Sequence, residues 1–217
     1  MGHCNLITKA GFTPKGGWLA GLVITLGLLL HTFPAASQRV EGDVVAAVRT
    51  NLLLPALNVG AEVPIGNRWS VGADWYYPWL WRKSDHKNCI QALALGLEGR
   101  YWFGKGPGGR HPKPLTGHSV GLFSYAGYYD FERNYRGYQG EFALFGIDYL
   151  YAIRFRNGFR LELSLGAGYF FSLSRPYQVF VEGGKGYKEK DMAKRVDYFG
   201  PLKAGASLVF PIYRRQK

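Results

Sequence analysis

The chain has 217 residues, of which 27 are Lys or Arg and 15 are Asp or Glu, so its formal net charge is +12. The bases lie mainly in the breaks between apolar segments and belong to no recognised nucleic-acid-binding module, so the charge predicts no nucleic-acid partner. They fit either solvated loops or loops that contact anionic lipid phosphates.

The first 37 residues predict a secretory signal peptide. Lys9 and Lys15 precede an apolar stretch at residues 18–30, and the small residues 35–37 follow it. This order of basic, apolar and small residues predicts cleavage before Gln38. The alternative is an uncleaved anchor, but the stretch is short for a span of about 20 residues. Residues 38–217 are then the mature domain, which contains one cysteine, Cys89, so we expect no internal disulfide.

Eight segments of alternating apolar and polar residues follow. In the clearest, Leu161, Leu163 and Leu165 share one face, and Arg160 and Glu162 share the other. A period of two over more than ten residues indicates a strand that is longer than most strands of globular proteins. The predicted strands are residues 44–52, 57–64, 69–77, 90–103, 118–131, 140–152, 159–173 and 198–211.

The pattern predicts an all-β fold, an eight-stranded antiparallel up-and-down transmembrane β-barrel. No stretch after residue 37 is long and apolar enough for a transmembrane helix, and only helices or closed barrels satisfy their backbone in lipid. A soluble lipocalin-like barrel is the competing architecture. Aromatic residues such as Trp69, Trp75 and Tyr101 crowd the strand ends and favour the membrane barrel. We therefore expect the outer membrane of a Gram-negative cell, with outer-membrane lipid including lipopolysaccharide around the protein.

The breaks between strands sort into two groups by length. The breaks at 64–68 and 153–158 are short, as periplasmic turns are, although the break at 104–116 is long for one. The breaks at 79–88, 132–139 and 174–197 are predicted to be external loops. In the last of these, Tyr177, Phe180 and Tyr187 stand among charges. They predict either a contact surface for an envelope protein partner or a solvated loop.

The faces opposite the apolar ones carry both signs of charge. An eight-stranded barrel has an interior that side chains just fill, so these charges are expected to pair inside it. The pairing predicts a salt-bridged, closed interior; the alternative is a gated polar pathway or a proton relay. The predicted interior network consists of Arg49, Glu62, Asp74, Glu98, Arg100, Asp148, Arg160, Glu162 and Lys203.

Catalytic and metal-binding motifs are sparse. His86 and Cys89 share a loop without a second ligand pair, so we expect no metal site and no cofactor. Ser84, Asp85 and His86 are candidates for a lipid-modifying enzyme, but adjacent loop residues lack the support that holds a nucleophile against its base. The sequence therefore predicts no enzyme.

Five stretches of the mature chain resemble a domain-of-unknown-function family of small outer-membrane barrels from Bacteroidota-type bacteria. The resemblance implies an outer-membrane location and a small closed barrel, and it implies no activity and no site residues. The stretches are RTNLL at 49–53, EVPIGNRWSVGADW at 62–75, RYWFG at 100–104, PLTGH at 114–118 and FGPLKA at 199–204.

The last strand resembles the terminal signature that the barrel-assembly machinery reads. Its matching positions are Lys203, Gly205, Leu208 and Phe210. This resemblance implies the assembly machinery as a partner during insertion. The function we expect is that of a structural barrel or an accessory subunit of a surface or envelope assembly. A narrow pore or lateral route for a small apolar solute is the alternative, and the lipid enzyme is a third hypothesis.

Overall fold

The computed structural model describes residues 44–54, 57–77, 88–103, 114–155, 158–182 and 185–214. The predicted signal peptide, residues 1–37, and the enzyme candidates Ser84, Asp85 and His86 lie outside these residues. None of the described residues belongs to a helix long and apolar enough to cross a membrane.

The described part of the chain folds into nine β-strands. The strands are β1 Val44–Asn51, β2 Asn58–Ile65, β3 Trp69–Tyr76, β4 Asn88–Trp102, β5 Gly117–Arg133, β6 Arg136–Arg154, β7 Arg160–Glu182, β8 Lys185–Lys190 and β9 Lys194–Tyr213.

The strands form one antiparallel sheet that closes on itself. Each strand from β1 to β7 pairs with the next, β7 also pairs with β9, and β9 pairs with β1. In the described residues β8 pairs with β7 alone, against its last part from Tyr177 to Glu182. The predicted all-β antiparallel fold is confirmed. The sheet has nine strands where eight were predicted, and β8 is the strand that the sequence did not reveal.

The alternating pattern sorts side chains between the two sides of the ring. On β2, Val59 and Val63 face outward and are exposed, while Glu62 is buried on the inside. Period two places alternate residues on opposite faces of a strand, so every strand with a strict pattern separates apolar from charged residues in this way. The ring therefore has an apolar outer face and a polar interior.

The connection between β5 and β6 is shorter than predicted. The predicted loop at 132–139 is wrong, because β5 and β6 pair up to Arg133 and Arg136 and leave only Asn134 and Tyr135 in the turn. Both turn residues have positive φ, 50° and 64°. A two-residue turn with positive φ at both positions usually carries Asn-Gly. Because Tyr135 occupies the second position in place of glycine, the sequence does not indicate this turn.

The segment between Ser174 and Asp197 is also not a loop. It contains the end of β7, all of β8 and the start of β9. Tyr177, predicted in an exposed loop, is buried on β7 with 2% of its surface exposed. Phe180 and Tyr187 are exposed on β7 and β8. Lys and Glu are rare in central strands, but lysine is common on edge strands, and β8 is one.

The two ends of the ring differ. We call the end at Trp102 and Gly117 the lower end and the end at the β5–β6 turn the upper end. At the lower end Leu115 has a φ of 65° and is fully buried. It joins an apolar cluster that fills this end of the interior. The cluster consists of Ala47, Trp102, Leu115, Leu150, Ala152 and Val209.

Candidate functional site

The charged residues of the predicted interior network lie on the inner face of the ring. All are buried except Lys203, whose side chain is mostly buried. They come from most of the strands: Arg49 on β1, Glu62 on β2, Asp74 on β3, Glu98 and Arg100 on β4, Asp148 on β6, Arg160 and Glu162 on β7, and Lys203 on β9.

Arg49 contacts three carboxylates. Its Nε and Nη2 donate to Asp74, Nη1 donates to Glu62 at 2.7 Å, and Nη2 also reaches Glu98 at 3.1 Å. These four residues come from four neighbouring strands, β1 to β4. One guanidinium therefore connects four adjacent strands of the ring through charge-assisted hydrogen bonds.

Arg100 repeats this arrangement deeper in the interior. Its Nη1 lies 2.5 Å from Glu62 and 3.2 Å from Glu162, which extends from β7 on the far wall. Its Nε and Nη2 bind both oxygens of Glu98 at 2.7 and 2.9 Å. Arg100 therefore crosses the interior of the ring from β4 to β7.

The remaining bases complete the network on the other side. Lys203 donates to Asp148 at 2.5 Å and to Glu98 at 2.8 Å. Arg160 lies at the lower end, where its Nη1 donates to the carbonyl oxygen of Leu115. The structure therefore brings eight of the nine residues into one ion-paired cluster through Arg49, Arg100 and Lys203. The ninth, Arg160, holds the buried Leu115.

Three further residues of the network were not predicted from the sequence. Tyr125 donates its hydroxyl to Asp74 at 2.8 Å. Trp102 donates its indole N–H to Ser70 at 2.7 Å, and Ser70 donates to Glu62 at 2.5 Å. Ser70 lies four residues before Asp74, so period two predicts that both residues share the inner face. A small polar side chain such as serine does not by itself indicate a member of a charge network.

Two glycines make room for these side chains. A Cβ built at Gly96 would lie 2.1 Å from the ring of Tyr125, and one at Gly60 would lie 2.1 Å from Oδ1 of Asp74. Neither position tolerates a side chain without moving the network. The long arginines and Tyr125 fit in the narrow interior because glycines lie opposite them.

The sequence profile of a family described as "Protein of unknown function (DUF3575)" matches residues 23–212. The chain belongs to this family. Neither a curated protein nor a solved structure matches it. The predicted membership in a family of unknown function is thereby confirmed, and the DUF3575 description supplies no activity and no site residues.

A small cavity adjoins the charge network of this DUF3575 protein. Its volume is about 20 Å³, and its lining includes Arg49, Asp74, Tyr125 and Lys203. That volume holds about one water molecule. At this level the described interior can therefore hold a water molecule beside its charges.

A second polar cluster lies on the outer face near the upper end. The hydroxyl of Tyr177 donates to Asp130 at 2.5 Å and to Glu132 at 3.0 Å, and Lys188 donates to Asp130 at 2.8 Å. The Lys188 ammonium also lies 4.0 Å from the centre of the Tyr177 ring. Burial, together with the hydrogen bond to Asp130, raises the pKa of Tyr177 above its ordinary value. We call these four residues the outer-face cluster; it attaches β8 to β5.

The residues of the predicted assembly signal lie on both faces of β9. Lys203 points inward to Asp148, and Gly205 is buried against Ser164. Phe210 is exposed on the outside, where its ring makes an edge contact of 5.0 Å with Phe159. Period two also places Leu208 on this outer face.

Proposed function

We propose that this DUF3575 protein is an eight-stranded transmembrane barrel of the Gram-negative outer membrane, with β8 as an additional hairpin strand above it. Its interior is closed, and the protein acts structurally or as an accessory subunit of an envelope assembly, without catalysis. The observation that carries the proposal is the inverted distribution of side chains, which puts charges inside the ring and large apolar residues outside.

The outer face supports a lipid environment. Leu95, Leu122 and Leu165 are 62%, 68% and 66% exposed, and they lie on three different strands. Exposed apolar side chains that continue from strand to strand are typical of a surface that faces lipid. On β7 the outward-facing run from Leu161 to Phe171 has the length of a tilted transmembrane strand, about 9–11 residues.

Aromatic rings at both ends of the apolar face support the same proposal. Near the lower end the ring centres of Trp69 and Tyr101 are 5.0 Å apart, and those of His118 and Tyr151 are 4.6 Å apart. Closer to the upper end of the sheet, the aromatic ring centres of Tyr169 and Phe145 are 5.8 Å apart. Amphipathic rings favour the two membrane–water interfaces, so two aromatic rows are expected at the borders of a lipid-facing band.

The partners we propose follow from this placement. Lipids, including lipopolysaccharide, surround the apolar face. The barrel-assembly machinery binds the last strand, where Leu208 and Phe210 present an apolar and an aromatic side chain. An envelope protein would contact the upper end, where Phe180 and Tyr187 are exposed and available for contact.

Two measurements test the barrel and its location. Closed membrane barrels resist unfolding in detergent, so the unheated protein should migrate differently from the boiled protein in a denaturing gel. After membrane fractionation the protein should be recovered with the outer membrane. A protein that stays in the soluble fraction and shows the same mobility before and after boiling would contradict the proposal.

The closed interior is tested by conductance in planar bilayers. The purified protein should carry no steady current, because Arg100, Glu98 and Glu162 fill the space between opposite walls. The double variant Glu98→Ser/Arg100→Ser removes these side chains and should conduct, which shows that the assay detects an open form. A steady current through the unmodified protein would instead support the alternative, a narrow pore.

A further inference from the structure

Four side chains form a compact group at the tip of the β5–β6 hairpin. Arg133 lies directly opposite Arg136, and Phe131 lies directly opposite Tyr138. Opposed residues of an antiparallel pair share a face, and so do residues two apart on one strand. The four side chains therefore lie on one surface, which continues upward from the inner face of the ring. We call it the arginine–aromatic face.

The two arginines lack compensation in the described part of the chain. Both are exposed, and neither forms an ion pair with another described residue. Like charges directly opposite each other on an antiparallel pair destabilise it. An anion that binds between them would remove this repulsion.

The two described carboxylates that are nearest in sequence lie on the other face of the sheet. Asp130 and Glu132 lie on the opposite face of the sheet, where Tyr177 and Lys188 hold them in the outer-face cluster. The β-sheet itself separates these acids from the guanidinium groups. Among the described residues, the arginines therefore remain available to a ligand, while the acids next to them in sequence are already bound.

Exposed rings lie beside the arginines. Phe131 is 44% exposed and Tyr138 is 58% exposed. Tyr129 stacks on Phe131 with the ring centres 5.2 Å apart and supports it from below. The two exposed rings are neighbours on one surface and do not face each other across a slot. They therefore offer a platform for one apolar face of a ligand rather than a cleft for a flat base.

The hairpin holds this group in a fixed position. Arg133 pairs with Asn88 on β4, and Arg136 pairs with Gln178 on β7. The N–H of Val179 donates to the carbonyl of Tyr135 at 2.8 Å. Tyr135 is kept at a φ of 64°, a costly conformation for a residue other than glycine. Backbone strain of this kind persists where the surrounding structure imposes it, and it concentrates at binding sites.

We propose that the arginine–aromatic face binds a phosphorylated sugar. The guanidinium groups of Arg133 and Arg136 bind the phosphate oxygens, a geometry that arginine matches better than lysine. The rings of Phe131 and Tyr138 lie against the C–H face of the sugar. The same chemistry occurs in a soluble sugar phosphate and in a phosphorylated glycolipid. The site would need only the hairpin, so it goes beyond the proposed barrel function and does not depend on it.

Calorimetric titration of the full-length protein in detergent tests the site, with glucose 6-phosphate as the probe. The double variant Arg133→Gln/Arg136→Gln should bind it at least about tenfold more weakly, since charge-assisted hydrogen bonds are lost. The matched control is Arg175→Gln/Lys190→Gln. It removes the same charge at the same end of the molecule, from exposed residues on the opposite face, and should bind within about twofold of the unmodified protein. Equal loss in both variants would overturn the site in favour of unspecific attraction.

A second comparison isolates the rings. Phe131→Leu/Tyr138→Leu should weaken glucose 6-phosphate severalfold and leave inorganic phosphate unchanged. Overturning results are an unchanged affinity for glucose 6-phosphate in this variant, or tighter binding of adenosine monophosphate than of the sugar phosphate by the unmodified protein. If the double arginine variant loses its heat-dependent gel mobility, the single variant Arg136→Gln replaces it.

The two sources of the ligand are separated by a vesicle arm. The same proteins are mixed with phosphatidylcholine vesicles with and without a phosphorylated glycolipid. Selective retention on the phosphorylated vesicles, lost in the arginine variant, assigns the site to the glycolipid, whereas binding of the soluble sugar phosphate alone assigns it to a free ligand. Absence of binding in both arms overturns this inference, while gel mobility and fractionation separately decide the barrel proposal.

Discussion

Arg49 holds Asp74 through two parallel hydrogen bonds of 2.8 Å each, from Nε and Nη2 to the two carboxylate oxygens. This paired geometry joins β1 to β3 across β2. It is available to a guanidinium and not to an ammonium group, because only the guanidinium has a planar fork of donors. The interior of the ring is therefore specified by geometry as well as by charge.

Replacement of Arg49 should destabilise the fold strongly. Arg49→Met removes one partner of three buried carboxylates, so we expect the free energy of unfolding to fall by about 3–5 kcal/mol. Arg49→Lys should recover only part of this loss. Urea unfolding in detergent micelles, followed by tryptophan fluorescence, measures both. The control is Arg68→Met at an exposed position, which should change the free energy of unfolding by less than about 1 kcal/mol. Equal effects at the two positions would contradict a structural role for the network.

Two glycines of β4 should respond differently to replacement by alanine. At Gly96 a Cβ would displace the ring of Tyr125 and its hydrogen bond to Asp74, so Gly96→Ala should cost about 1–3 kcal/mol. At Gly99 no atom lies within 4 Å of the added Cβ. Gly99→Ala should leave the free energy of unfolding unchanged or raise it by up to about 1 kcal/mol, since alanine is less flexible in the unfolded chain. Unfolding midpoints in urea distinguish the two, and a similar loss at both sites would rule out the close packing described at Gly96.

The inward charges were predictable because their strands keep a strict period of two. On β7, Arg160 and Glu162 alternate with leucines, so the face of each follows from its position alone. Tyr125 could not be assigned in this way. It lies among other aromatic residues on β5, and its inward position depends on Gly96, which is its partner in the register with β4. That information comes from pairing between strands and is not contained in either segment by itself.

The upper end was predicted least well, for two physical reasons. The β5–β6 turn uses Tyr135 where glycine is preferred, so no local turn signal marks it. The strand β8 contains Lys188 and Lys190, which resemble loop residues. In the described part of the chain β8 is an edge strand that pairs with β7, and edge strands commonly carry lysine. In both places tertiary pairing overrides the local preference.

The bond from Trp102 to Ser70 should contribute to stability beyond the burial of the ring. Trp102→Phe keeps an aromatic ring in the lower apolar cluster and removes the indole N–H that Ser70 accepts, while the bond from Ser70 to Glu62 remains. We expect a loss of about 1–3 kcal/mol from the missing hydrogen bond and the smaller ring. Combining it with Ser70→Ala in a double-mutant cycle should show a coupling of about 1 kcal/mol. Strict additivity of the two single effects would contradict the bond.

The outer-face cluster should make stability fall at high pH. The pKa of Tyr177 is raised in the folded state by burial and by its bond to Asp130, so the folded protein keeps this proton above the pH at which the unfolded chain releases it. Stability from Tyr177 is therefore fully present below about pH 10, the ordinary pKa of tyrosine, and decreases as the pH rises further. Tyr177→Phe has no proton to lose here. The unmodified protein should have a higher urea midpoint than Tyr177→Phe at pH 8, and this advantage should be smaller at pH 11. The contributions of the other tyrosines cancel in the difference between the two proteins. An advantage that stays constant or grows between these pH values would show that the fold does not raise the pKa of Tyr177.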